Sequence, residues 1–231
     1  MVKKLFIFTV VLISYLTFTI EHCYAQWQPD VRLTNDPGSS YTSENNAWCI
    51  AAYGNVVHAV WADNRDGING EIYYKRSTNL GLNWEPDTRL TNDTSSSYTP
   101  SIAVYGSIVH VVWQDNRNGN MEIYYKRSTD NGFTWSADTR LTNSIGYSRN
   151  PSIAVSASNV NIVWDDNRDG NYEIYYKRST DGGVNWEADT RLTNNTSSSG
   201  SASITAVGLF VHIVWYDNRD GNNEIYYKLS T

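Results

Sequence analysis

Through most of the chain, short runs of apolar residues alternate with clusters rich in Gly, Asn, Asp and Ser. In one representative stretch, Ser101 to Tyr105 is a run of small and branched residues broken by Gly106-Ser107, and Ile108 to Trp113 is a second run rich in Val and Ile. The cluster Asp115-Asn116-Arg117-Asn118-Gly119-Asn120 follows, then a third run from Glu122 to Ser128. Asp130-Asn131-Gly132 turns the chain again, toward Trp135 and a last run ending at Leu141. The stretch has no helical period. Runs of this length bounded by Gly and Asn predict four antiparallel strands joined by tight turns.

The stretch recurs. Trp61, Trp113, Trp164 and Trp215 each stand in a Trp-x-Asp-Asn-Arg segment, Arg-Leu-Thr-Asn begins at Arg32, Arg89, Arg140 and Arg191, and Glu-Ile-Tyr-Tyr-Lys begins at Glu71, Glu122, Glu173 and Glu224. A period of about 51 residues that holds four strands is the unit of a β-propeller blade. Trp27 to Thr34 reads as a lone fourth strand ahead of the first full unit, and the last unit runs only to its third strand. The fold expected is therefore all-β, a propeller of four blades of four antiparallel strands. Its N-terminal strand would close the last blade, with Arg32-Leu33-Thr34 beside Ile225-Tyr226-Tyr227, leaving no unpaired edge.

The first 25 residues stand apart. Lys3 and Lys4 precede an apolar segment from Leu5 to Ile20, and Cys23-Tyr24-Ala25 places small residues where a signal peptidase reads them. This predicts a leader cleaved after about Ala25 and a single domain over 26–231, secreted, periplasmic or on the cell surface. A lipid anchor on Cys23 is the competing reading, with Glu21 and His22 where small residues would be expected. The apolar segment is short for a spanning helix and no second one follows, so no membrane span is expected. Cys49 would be left without an intramolecular partner, so a buried core and not disulfides must hold the fold. With 18 basic against 24 acidic residues and evenly spread arginines, the chain is a poor partner for nucleic acid.

The turn after the third strand carries a resemblance. Ser128-Thr129-Asp130-Asn131-Gly132-Phe133-Thr134-Trp135 resembles the Asp-box, or BNR repeat, of sialidase-like propellers. Ser179 to Trp186 matches with Asn185 for Thr, and Ser77 to Trp84 is a degenerate copy with Asn79 for the Asp. The resemblance implies a structural role: Asp130 and Asp181 bind turn amides, Gly132 and Gly183 take positive φ, and Trp135 and Trp186 pack into the blade. It also implies what a sialidase would need, namely an arginine triad, a tyrosine nucleophile with a glutamate partner and an acid/base aspartate. Here almost every Arg, Glu and Tyr recurs in all four units and the Arg-Ile-Pro motif is absent. An acid–base site needs carboxyl groups in unequal environments, which near-identical repeats do not readily supply.

In an up-and-down blade, the second-to-third turn and the crossover to the next blade share one face, which in such propellers takes the ligand. Arg65, Arg117, Arg168 and Arg219 belong to this face. One reading makes them repeated forks for a carboxylate or sugar hydroxyls. The other has Asp63, Asp115, Asp165 and Asp217 capping their own hairpins while each Arg pairs with a neighbouring blade. Asp66, Asp169 and Asp220 suggest a calcium loop, but Asn118 breaks the set and the spacing is not that of an EF-hand. His58, His110 and His212 read as packing residues, with Asn161 in the fourth place. Neither metal nor cofactor is expected.

The asymmetric positions point to the binding site. The first crossover is five residues longer than its equivalents, carrying Tyr41 and Glu44, and Trp48 replaces Pro100, Pro151 and Ala202 at the entrance to the innermost strand. Arg149 is likewise unmatched. An aromatic plane with flanking hydrogen-bonding groups suits a sugar ring. The sequence thus reads as an exported non-catalytic binding propeller for a glycan or a surface protein, with a sialidase-type glycoside hydrolase as the alternative. The oligomeric state is not legible.

Overall fold

The computed structural model describes residues 27–43, 48–67 and 69–230, and among these it contains sixteen strands and no helix. The strands form four consecutive antiparallel sheets. The first holds β1 (Ser40–Tyr41), β2 (Ile50–Tyr53), β3 (Val56–Asp63), β4 (Glu71–Ser77) and β5 (Thr88–Arg89). The second holds β6 (Ser97–Tyr105), β7 (Ile108–Asp115), β8 (Glu122–Ser128) and β9 (Thr139–Arg140). The third holds β10 (Ser148–Ser156), β11 (Asn159–Asp166), β12 (Glu173–Ser179) and β13 (Thr190–Arg191), and the fourth β14 (Ser199–Val207), β15 (Phe210–Asp217) and β16 (Glu224–Ser230).

The alternation within each strand sends one set of side chains to each face, and each sheet packs a face on the next. Ile72, Tyr74 and Leu90 of the first sheet meet Val109, Val111 and Trp113 of the second. Val112, Ile123 and Tyr125 meet Ile162 and Trp164 of the third, and Val163 and Ile174 meet Ile213 and Trp215 of the fourth. Burying one such side chain contributes roughly 1.5–3 kcal/mol, so these stacked interfaces form the core. The inner strands of all four sheets line a central cavity of about 470 Å³.

The third-to-fourth turns close on themselves. Asp130 accepts the Thr134 N–H at 2.9 Å and the Thr134 hydroxyl at 2.6 Å, while Ser128 Oγ accepts the Gly132 N–H at 2.8 Å. Asp181 does the same for Asn185 N at 2.9 Å. Gly132 and Gly183 take φ of 82° and 80°. Trp135 and Trp186 pack on the cores between sheets, edge-on against Tyr74 and Tyr125 of the preceding sheet, with ring centroids 5.0 and 4.9 Å apart. The same tyrosine hydroxyls sit where a Cβ on Gly132 or Gly183 would be, so these turns are also interface.

The expected closing strand is not formed. Residues 27–34 contain no strand, and the fourth sheet has three. Leu33 lies instead beside the first sheet, its carbonyl accepting Lys75 Nζ at 2.6 Å. Each of β5, β9 and β13 pairs over only two residues, far less than the run ending at Leu141 suggests. Flanking backbone bonds such as Leu90 N–H to the Ile72 carbonyl at 2.8 Å extend the pairing, and side chains add to it, with Arg89 on Glu71 at 2.9 Å and Thr91 Oγ1 accepting the Ile72 N–H at 2.8 Å.

Candidate functional site

The crossover face is built on the Trp-x-Asp-Asn-Arg turns, and its arginines are engaged. Asp63 accepts Arg65 through the backbone N–H at 2.9 Å and through Nη2 at 2.6 Å, while Arg65 Nη1 lies 2.6 Å from Asp87. Arg117 bridges Asp115 at 2.6 Å and Asp138 at 2.7 Å, and Arg168 bridges Asp166 and Asp189 at 2.8 Å. Each guanidinium also lies over a tyrosine of its own sheet, Tyr73, Tyr124, Tyr175 or Tyr226. Burial works to raise the Asp63 carboxyl, yet hydrogen bonds from Arg65 and Ser40 outweigh it and hold the group down to about 2. Arg65 Nη2 also lies 2.8 Å from Asp36 and Arg117 Nε 3.9 Å from Asp93, carboxylates of the crossovers that precede their sheets. One expectation changes here: in the third unit the capping residue is Asp166, because Asp165 is one place too early.

The remaining polar groups of the turns are likewise internal. Asp66, Asn118, Asp169 and Asp220 accept the hydroxyls of Tyr73, Tyr124, Tyr175 and Tyr226. No cluster of metal-ligating side chains occurs among the described residues. His58 and His110 meet Tyr74 and Tyr125 hydroxyls at 2.6 and 2.7 Å, and Asn161 accepts from Tyr176 at 2.7 Å. Burial pushes His58 down to about 4 and His110 to about 3, so both are neutral. Cys49 is half-buried, its thiol pushed up by burial, with Sγ 3.4 Å from the Pro100 carbonyl.

Against this constant frame one cross-strand pair varies. In the register, Tyr41 faces Ala62, Tyr98 faces Gln114, Arg149 faces Asp165, and Gly200 faces Tyr216. Just after it the inner strand bulges through a residue of positive φ: Thr99 at 49°, Asn150 at 55° and Ser201 at 50°. The variable residue of the preceding sheet caps that bulge. Gln114 Oε1 accepts the Asn150 N–H at 2.9 Å, and Asp165 accepts the N–H groups of Ser201 and Ala202. Burial lifts Asp165 to about 6, against the lowering effect of the Asn150 side chain at 2.9 Å and the Ser201 N–H.

Ala62 has no side chain to cap Thr99. A pocket of about 400 Å³ opens there, lined by Tyr41, Thr42, Ala62, Asn64, Tyr98, Thr99 and Gln114. Thr99 Oγ1 is buried with no hydrogen-bond partner. Tyr98 closes one side, its ring against Gly70, where a Cβ would collide with it.

The predicted site residues are therefore dispersed. Tyr41 lines this pocket, and is a regular member of the repeat, because the five-residue insertion falls after it. Trp48, 56 % exposed, lines the central cavity instead. Arg149 lies over the Tyr172 ring at 3.7 Å and 3.9 Å from Asp165. Glu44 lies outside the described residues, as does the predicted leader. Asp130, Gly132, Trp135, Asp181, Gly183 and Trp186 serve the turns and interfaces described above. Ala62, Gln114, Thr99 and Asn64 were not singled out from the sequence. The signal was present: between the constant Trp and Asp the residue reads Ala, Gln, Asp and Tyr in turn.

No protein-family model matches the sequence, and no curated protein aligns with it. Solved structures do resemble the fold. An α-L-arabinanase of Penicillium chrysogenum complexed with arabinobiose superposes with a TM-score of 0.59 at 14% identity, over 82% of this chain and 65% of its own. The GH93 α-L-arabinofuranosidase of Fusarium graminearum gives 0.55 at 15%, over 84% and 64%. A Trypanosoma rangeli sialidase mutant displaying trans-sialidase activity gives 0.57 at 15%, over 85% and 41%. The chain thus spans between about two fifths and two thirds of the length of these proteins. Together with the four stacked sheets, these likenesses make the chain a β-propeller in fold.

Proposed function

We propose that this chain is an exported, non-catalytic binding module that takes a glycan on its crossover face, in the pocket beside Ala62. The observation that carries the reading is Ala62 standing where the second and third sheets have the capping residues Gln114 and Asp165, which leaves a cleft beside Thr99. Tyr41 and Tyr98 offer ring faces for the C–H side of a sugar, while Asn64, Gln114 and the unpartnered Thr99 hydroxyl offer hydrogen bonds to its rim. The solved neighbours include a propeller bound to arabinobiose, and the turn sequences resemble those of sialidase-like Asp-box proteins; both favour a saccharide.

Hydrolysis is the weaker reading. A glycosidase needs two carboxyl groups open to the scissile bond. Asp63, Asp115, Asp166 and Asp217 are held in ion pairs, and Asp165, whose proton is retained to about pH 6, is buried.

A glycan array followed by titration of the best ligand tests the proposal, with fluorogenic sialoside and arabinoside hydrolysis alongside. Ala62→Gln fills the pocket and is expected to abolish binding, while Trp48→Ala leaves it within a few-fold. The reverse result moves the site to the central opening. Turnover lost on a single Tyr→Phe change promotes the hydrolase.

A further inference from the structure

The two ends of the stack of sheets carry the two halves of an interface that the molecule builds three times internally. At each internal interface a Val, an Ile and a Tyr of one sheet bury against an Ile and a Trp of the next. Ile72, Ile123 and Ile174 are fully buried in this way, whereas their equivalent Ile225 is 75 % exposed, with Val214 and Tyr227 uncovered beside it. The receiving half is open on the first sheet. Ile50 is 53 % exposed where Ile102, Ile153 and Ile204 are buried. Ile50, Ala59, Trp61 and Leu33 line an apolar cleft of about 350 Å³ on that face. The notch at Gly81, equivalent to the seats of Tyr74 and Tyr125 at Gly132 and Gly183, has no neighbouring tyrosine.

Charge and sequence fit across the same two ends. Lys75, Lys126 and Lys177 each reach the Asp of an outermost strand, as do Arg65, Arg117 and Arg168. In the fourth sheet the described ion pairs of Arg219 stop at Asp217, and Lys228 meets only the Leu192 carbonyl. Asp30, exposed, stands at the position of Asp87 in the first Arg-Leu-Thr-Asn segment. Internally, Arg76 lies over Phe133 and donates to the Asn131 carbonyl at 2.9 Å. At the ends both partners change together: the Arg becomes Leu229, and the Asn and Phe become the exposed Leu80 and Leu82.

We infer that the fourth sheet of one molecule docks on the first sheet of a second copy. Leu33, already held by Lys75, travels with that first sheet, and the segment it begins lies along β16 as its missing neighbour. Asp30 then meets Arg219 and Lys228, and Leu229 packs on Leu80 and Leu82. Such a contact is head-to-tail, using different surfaces on the two partners. A second copy carries this complement, since the same chain builds it three times between its own sheets.

Sedimentation of the full chain, expressed with its own leader, over a wide concentration range tests this. The expected mass rises above one chain, and Ile225→Asp and Asp30→Arg each weaken association by more than about tenfold. Both positions are exposed in the single chain, and circular dichroism checks that each variant folds. In a second arm, a Leu229→Cys chain and a Leu80→Cys chain, both carrying Cys49→Ser, are mixed with a short thiol crosslinker. A linked heterodimer is expected. One-chain mass at every concentration, or linkage only within a chain carrying both cysteines, overturns the inference.

Discussion

Ile123 and Ile225 occupy the same register position in two sheets of nearly the same sequence, opposite Gln114 in one and Tyr216 in the other. The first is fully buried and the second largely exposed. The residue is the same and its strand differs only in Leu229 for Arg127; what changes is the neighbouring sheet, together with the outer strand that the fourth sheet lacks. In this molecule burial is conferred by the next unit in the stack, so stability resides between sheets more than within them.

The sharpest test of that contrast is Ile123→Ala, which opens a cavity at an internal interface. A loss of about 2–5 kcal/mol is expected in urea unfolding. Asp165→Asn probes a position that is buried in the third sheet but occupied by Ala62 in the first. The Asp165 carboxyl titrates near 6 when folded, above its ordinary range, so its contribution is complete in acid and is lost as pH rises through 6. The Asn variant should therefore be more stable than the parent by about 1–3 kcal/mol at pH 8, and no better below pH 4, by thermal melts across that range. An equal gain at both ends of the range would mean that charge is not the cause.

His110→Asn copies what the third sheet already has at Asn161. Because the folded His110 is held down to about 3, its contribution is present above the ordinary histidine range and lost as pH falls toward 3. The variant should cost no more than about 1 kcal/mol at pH 7 and should lose less melting temperature between pH 7 and 4 than the parent. The smallest effect is expected at the exposed end: Ile225→Ala, measured at high dilution, should stay within about 0.5 kcal/mol. A cost like that of Ile123 would show that the last sheet is covered after all.

Much of the fold was legible. The third strand was read as Glu122 to Ser128, as found, because an alternating apolar run between two turn clusters leaves little freedom. The inner strand was read from Ser101, but it begins at Ser97, since the bulge at Thr99 breaks the alternation that marks a strand. Ring closure was read from strand count, whereas among the described residues the fourth sheet has three strands. The candidate site was less legible. Trp48 and Arg149 drew attention as unusual residues, whereas the pocket arises from a small one, Ala62. A missing side chain leaves no motif, and its effect depends on a backbone donor that only the folded bulge presents.

The repetition itself has a consequence for how the chain folds. β4, β8 and β12 share one sequence, Glu-Ile-Tyr-Tyr-Lys-Arg-Ser, so each could pair in perfect register with the second strand of another unit. What favours the right partner is the length of chain to be looped. From Asp115 the correct strand begins at Glu122, while the next copy begins at Glu173. The longer loop costs about 2 kcal/mol more to close, a bias of roughly thirtyfold for each pairing. Such a bias is kinetic sorting by proximity, and it weakens wherever two chains fold close together, because a neighbour's strand can compete on nearly equal terms. Fast, local hairpin formation as each unit leaves the ribosome is thus the step that keeps four near-identical sheets from exchanging strands.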